Sequence, residues 1–121
     1  MTERDKQLLL KALCGYIPYR VQALVENVFS EPEDVEIEAV TSHQEAKLDG
    51  YNFTVDIQNL KPYLRPMESM TKEETAEFFY ITIEKKSQRY GEDTDWLNEH
   101  HFDYHGLIEK GLALPAPDGM Y

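Results

Sequence analysis

The segments VEIEAV (residues 35–40) and YNFTVDIQ (residues 51–58), the second preceded by Asp49-Gly50, decide the reading of this 121-residue chain. Val35, Ile37 and Ala39 alternate with Glu36 and Glu38; Tyr51, Phe53, Val55 and Ile57 alternate with Asn52, Thr54, Asp56 and Gln58. Successive side chains of a strand point to opposite faces, so each segment predicts a strand with one apolar and one wet face. Asp-Gly is the favoured pair for a two-residue type I′ turn, whose two central residues both need positive φ. Val21, Ala23 and Val25 supply a third alternation. The expectation is a three-stranded antiparallel meander over residues 20–58, with Glu36, Glu38 and Asp56 on its solvent face.

Helices are predicted on either side. Thr2 opens one over residues 3–13 with Leu9, Leu10 and Leu13 on one face, Gly15 as its stop and Pro18 barring continuation. Cys14 reads as a small buried hydrophobe near the helix end. Residues 61–66 (KPYLRP) read as an extended connector, because each proline pushes its predecessor out of helical space. Thr71 and Glu74 form a capping box for a second helix with Ala76, Phe79, Tyr80 and Ile83 as its apolar stripe, although the aromatic and β-branched residues 78–83 also suit a strand. A loop around Gly91 is expected over residues 88–92, and Thr94 then caps a third helix carrying Trp96, Leu97, His100 and His101. Trp96, Phe102, Tyr104, Leu107, Ile108 and Leu112 are too apolar for a free tail and are expected to be buried. The fold class is therefore α+β, one domain over residues 1–121. An N-terminal helix, the meander and two or more C-terminal helices packed on the sheet make it up. Val35, Ile37, Tyr51, Phe53, Val55 and Ile57 should meet Leu9, Leu13, Phe79, Ile83 and Trp96.

Charge narrows the function. The net charge of −11 is concentrated: residues 26–56 carry −8 and residues 92–121 carry −6. Such a field opposes nucleic acid, which needs clustered Lys and Arg, and it opposes an anionic membrane surface. No apolar window reaches a membrane span, and Glu3 and Asp5 replace the basic start of a signal peptide. A cytoplasmic location is expected. The lone Cys14 offers no internal disulfide.

Motifs for chemistry are sparse. The chain has no Gly-rich phosphate loop, no G-x-S-x-G elbow and no CxxC pair, so neither enzymatic activity nor a cofactor is expected. His100, His101, Asp103 and His105 have metal-ligand character and would support a metal-dependent hydrolase, but the glutamate of H-E-x-x-H is missing. Glu36 and Glu38 are a carboxylate pair on a strand face that lacks a cleft for acid–base work. Lys61, Tyr63 and Arg65 could form a small recognition patch, since Tyr and Arg are common interface anchors. The leading expectation is a non-enzymatic protein-interaction or accessory module with a protein partner. The alternative is an acidic nucleic-acid mimic that occupies a DNA-binding protein's basic groove.

Three strings carry a resemblance: residues 15–19 (GYIPY), residues 61–67 (KPYLRPM) leading into 69–74 (SMTKEE), and residues 96–104 (WLNEHHFDY) leading into 106–108 (GLI) and 111–114 (GLAL). Together with the leucine-rich first helix they resemble a family of small uncharacterised proteins of gut-anaerobe genomes, in prophages or other mobile elements. The resemblance implies a shared fold and brings no activity. That family has Arg where this chain has His105, which implies that His105→Arg leaves the melting temperature nearly unchanged in a thermal denaturation.

Overall fold

The computed structural model describes residues 1–84 and 91–121. The predicted loop over residues 88–92 lies outside the described residues as far as Tyr90. Helix α1 (Glu3–Tyr16) begins at Thr2, whose side chain accepts from the Asp5 N–H. Leu9, Ala12, Leu13 and Tyr16 are buried at helical spacing. Cys14, expected inside, is exposed, because it lies on the other side of that stripe. Gly15 does not stop the helix. A Cβ there would stand 2.8 Å from the Asn98 side chain, so glycine lets the third helix approach α1 closely. The stop comes later, after a 3₁₀ turn (Ile17–Tyr19), where Arg20 takes φ 65°.

Among the described residues six strands follow: β1 (Gln22–Val25), β2 (Glu33–Val40), β3 (Glu45–Leu48), β4 (Thr54–Asp56), β5 (Leu60–Leu64) and β6 (Leu114–Pro115). They form one mixed sheet in the order β4-β3-β2-β1-β5-β6. The α+β class, the N-terminal helix and the C-terminal helices agree with the sequence reading. The three-stranded antiparallel meander does not, since three further strands join it and β6 runs parallel to β5.

Two of the three added strands, β3 and β5, have a local physical reason. The hairpin between β2 and β3 turns through Gln44 at φ 61°, a conformation usually signalled by Gly or Asn. At Asp49-Gly50 the Tyr51 N–H bonds the Leu48 carbonyl, but only Gly50 has positive φ, so the turn is not type I′. Pairing resumes only at Thr54, and Tyr51 and Phe53 stay out of the strand. In β5, Pro62 sits opposite Ala23. Bonding pairs alternate along an antiparallel ladder, and the Glu26 N–H donates to Asn59 at 2.7 Å. Counting inward from that pair, Pro62 falls where no N–H toward β1 is required, so proline is tolerated.

In β2 a bulge sets Glu38 and Ala39 together opposite Lys47, so the inward face passes from Ile37 to Val40 and Ala39 is exposed. Val35, Ile37, Ala46, Leu48, Val55, Leu60 and Leu64 form the buried face and share one core with Leu9, Leu13 and Tyr16 of α1. The opposite face carries Asp34, Glu36, Lys47, Asp56, Lys61 and Tyr63.

Helices α2 (Lys72–Phe79) and α3 (Glu92–Glu99) lie in the connection between β5 and β6. α3 is capped by Gly91 (φ 82°), three residues before the Thr94 cap expected from sequence. Trp96, Leu97 and Phe102 make a second buried cluster, against which Met70, Phe78 and Ile81 pack. Trp96 was expected in the main core with Phe79 and Ile83, yet Phe79, Ile83 and Phe53 are each about half exposed. In the tail, Leu107 and Leu112 are buried, while Tyr104 and Ile108 are partly so.

Trp96 stacks near-parallel on Phe102 with centroids 5.8 Å apart, lies 5.2 Å from Phe78 and donates its indole N–H to Glu77 at 2.9 Å. Trp96→Ala should therefore cost about 3–5 kcal/mol in chemical denaturation. A cost below about 1 kcal/mol would show that this cluster does not support the fold.

Candidate functional site

Arg65 stands one residue beyond β5, where several elements converge. Its backbone pairs in parallel with Phe102: the Arg65 N–H donates to His101 at 2.7 Å and its carbonyl accepts from Asp103 at 2.9 Å. Its guanidinium grips both carboxylate oxygens of Glu74 at 2.7 Å and lies 4.2 Å from the Phe102 ring centroid. Glu74 also accepts from the Thr71 N–H, closing the capping box of α2. The paired guanidinium holds the Glu74 carboxyl down at about 2. A planar fork meeting a carboxylate in two bonds fixes direction as well as distance. Glu74, Phe78 and Ile81 are thereby turned inward, and Ala76, Phe79, Tyr80 and Ile83 outward. With Phe78 and Ile81 packed on the Trp96 cluster and Glu74 held by Arg65, the apolar stripe predicted for α2 is left facing solvent.

A cleft of about 550 Å³ opens here at the carboxyl ends of β5 and β6, lined by Arg65, Ser69, Thr71, Glu74, Asp118 and Tyr121 among others. Its polar groups are largely spent within the chain. Arg65 is paired with Glu74, the Ser69 hydroxyl donates to Pro66 and the Thr71 hydroxyl accepts from Glu74. The Tyr121 hydroxyl accepts from the Gln22 N–H and donates to the Tyr63 carbonyl, both at 2.8 Å. It thus bridges the point where β1 and β5 part.

Tyr63, Glu36 and Glu38, also singled out from sequence, are tied inside the chain. The Tyr63 hydroxyl donates to Asp34 at 2.6 Å, and burial and that carboxylate push it up to about 12. Glu36 pairs with Arg20 at 3.2 Å and Glu38 with Lys47 at 2.8 Å. Lys61 lies beside Leu24 on the open sheet face, half-buried. Lys61, Tyr63 and Arg65 share a strand side, but Arg65 is drawn off toward α2.

The histidine cluster is dispersed. His100 stacks on Trp96 at 4.0 Å and donates through Nδ1 to the Trp96 carbonyl at 2.8 Å. His101, at φ 61°, donates through Nε2 to the Tyr19 carbonyl at 2.7 Å and stacks on Tyr121 at 3.6 Å. Burial pushes the His101 and His105 imidazoles down, which favours neutral rings. Asp103, buried, accepts from the Leu107 and Ile108 N–H groups at 2.8 and 2.9 Å, so its carboxylate organises the following turn. Among the described residues, no three His, Cys, Asp or Glu side chains come together to hold a metal ion. No described helix is long and apolar enough to cross a membrane.

Two surfaces escaped the sequence reading. One is the outward stripe of α2 with the π turn that follows it (Tyr80–Glu84): Phe79, Tyr80 and Ile83 are 51%, 53% and 56% exposed. The other is a platform of Phe29, Tyr51 and Phe53 at one end of the sheet. Period-two spacing assigned Tyr51 and Phe53 to the core, and only the short β4 releases them. Comparison with protein-family models, with curated proteins and with solved structures found no match for the chain.

The Arg65–Glu74 pair has an acid signature. Glu74 titrates lower folded than its ordinary 4.5, so its contribution to stability is complete above about pH 4.5 and is lost as pH falls toward about 2. In Arg65→Met the Glu74 carboxyl should titrate closer to the ordinary glutamate range, as read by side-chain NMR. The stability difference between wild type and variant should also shrink as pH drops through that window. An unchanged Glu74 titration would remove the pair from its organising position.

Proposed function

We propose that this protein is a non-enzymatic protein-interaction module that uses the outward stripe of α2 as a contact face. The observation that carries the reading is the placement of Ala76, Phe79, Tyr80 and Ile83 on the solvent side of a helix with no buried residue. Apolar side chains scattered singly over a surface are ordinary, whereas adjacent large ones in a contiguous patch mark contact surfaces. Aromatic residues at such a face supply large contact area for little ordering entropy, as interface anchors do.

Rigidity supports the reading further. The capping box and the bidentate Arg65–Glu74 pair hold α2 from its first turn. A presented helix that is already ordered loses less entropy on binding. A shallow groove lined by Met70, Lys72, Thr75, Ala76 and Phe79 runs beside the stripe and would admit an apolar side chain from a partner. Separate ties of His100, His101 and Asp103 to backbone groups favour this reading over a metal-dependent hydrolase. Pairing of Glu36 with Arg20 and of Glu38 with Lys47 weighs against an acidic mimic centred on those two residues.

Phe79→Glu and Ile83→Glu test the proposal, because both side chains are half exposed and their loss spares the core. Affinity capture from the native host should retain the same partner with wild type and lose it with either variant, at unchanged melting temperature. Equal retention by both variants would move the contact face elsewhere. Turnover of a small molecule by the pure protein would overturn the non-enzymatic reading.

A further inference from the structure

We propose that Phe29, Tyr51 and Phe53 form a second docking site, which takes an arginine-bearing segment of a partner protein. The proposal is independent of the α2 stripe. Ring centroids are 5.0 Å apart for Phe29 and Tyr51, 5.6 Å for Tyr51 and Phe53, and 6.2 Å for Phe29 and Phe53. The three rings therefore touch one another as a unit. Phe29 and Tyr51 pack partly on the main core, and Phe53 is 47% exposed at the outer edge.

Two loops build this platform. Phe29 comes from the segment joining β1 and β2, and Tyr51 and Phe53 come from the segment joining β3 and β4. The Tyr51 hydroxyl donates to Glu33 at 2.9 Å, which fixes its ring and sets a carboxylate at the platform's rim. That carboxylate raises the Tyr51 phenol, so the hydroxyl keeps its proton.

Charge decides the occupant. Glu31 follows Phe29 by two residues, Asp49 precedes Tyr51 by two, and both are exposed. No Lys or Arg occurs anywhere between Arg20 and Lys47. Lys47, the nearest cation in sequence to the platform, has its ammonium held by Glu38 at 2.8 Å and by the Tyr51 carbonyl at 3.3 Å. A cation over the face of an aromatic ring is attracted by the ring quadrupole, and surrounding carboxylates reinforce that attraction. Guanidinium suits the site better than ammonium, because it is planar, stacks on rings and gives up its hydration more readily. A phosphate-bearing partner would meet the −8 charge of residues 26–56 and be repelled.

The test uses nona-arginine peptide titrated into the ¹⁵N-labelled protein at an ionic strength of about 0.1 M or below, where the Debye length is 10 Å or more. Amide shifts should concentrate in residues 27–33 and 49–54. Phe53→Leu keeps apolar bulk and removes the ring face; it should weaken binding by about fivefold or more, whereas Phe79→Leu should leave it within about twofold. Nona-lysine should bind more weakly than nona-arginine. Undiminished binding by Phe53→Leu, or shifts centred on Glu36, Glu38 and Asp56 instead, would overturn the proposal in favour of diffuse attraction by the acidic sheet face. Because Phe53 is half exposed, the substitution should leave the fold intact, and an unchanged amide spectrum in the free variant establishes that.

Discussion

Much of this structure depends on one ion pair. The Arg65 guanidinium is held by both oxygens of Glu74 while it lies over Phe102, so a strand end, a helix start and the tail meet at one planar group. Surface ion pairs usually contribute little because they stay solvated and must order two long side chains. This one is different in kind. Both side chains are roughly four-fifths shielded from solvent, and the contact is a two-bond fork. It also does geometric work, since it sets the rotation of α2 about its own axis. Together with the packing of Phe78 and Ile81 on the Trp96 cluster, it leaves Phe79 on the presented side of that helix.

The same junction explains how the sheet becomes mixed. β5 runs antiparallel to β1, and beyond β1 its place beside β5 is taken by residues 101–103, with Tyr121 as a bridge. The chain that supplies those groups has travelled out through α2 and α3 and returned to lay β6 parallel to β5. A parallel neighbour requires such a crossover, and the crossover carries the second aromatic cluster around Trp96. Buried polar groups in this region are satisfied locally. Asp103 caps two N–H groups, and His101 and Tyr16 each donate to a backbone carbonyl. That economy is why the histidine-rich segment behaves as structural closure.

Function, on this view, resides in what the fold leaves uncovered. The α2 stripe and the Phe29–Tyr51–Phe53 platform are both apolar and both held by ordered supports, but their electrostatic settings differ. The platform sits in the acidic stretch over residues 26–56, while α2 is bordered by both signs of charge, from Lys72 to Glu77. Two surfaces of different character would allow the protein to engage two partners, or two parts of one.

Sequence by itself determined a good deal. Period-two alternation placed Val35, Ile37, Val55 and Ile57 in the core, the capping box located the start of α2, and leucine spacing found the buried face of α1. These signals are local: a strand's pleat, a helix's first turn and a 3.6-residue period act within a few neighbours. What the tertiary structure alone decided is everything set by distant partners. Pro62 sits in a strand because the ladder at that residue needs no donor, and Tyr51 and Phe53 leave theirs because β3 and β4 pair over only three residues. Phe79 and Ile83 face solvent because the opposite side, with Glu74 held by Arg65 and with Phe78 and Ile81 on the Trp96 cluster, is the side that finds partners. No period in the sequence encodes a rotation imposed by a side chain from another element, and so the candidate contact faces emerge only once the chain is folded.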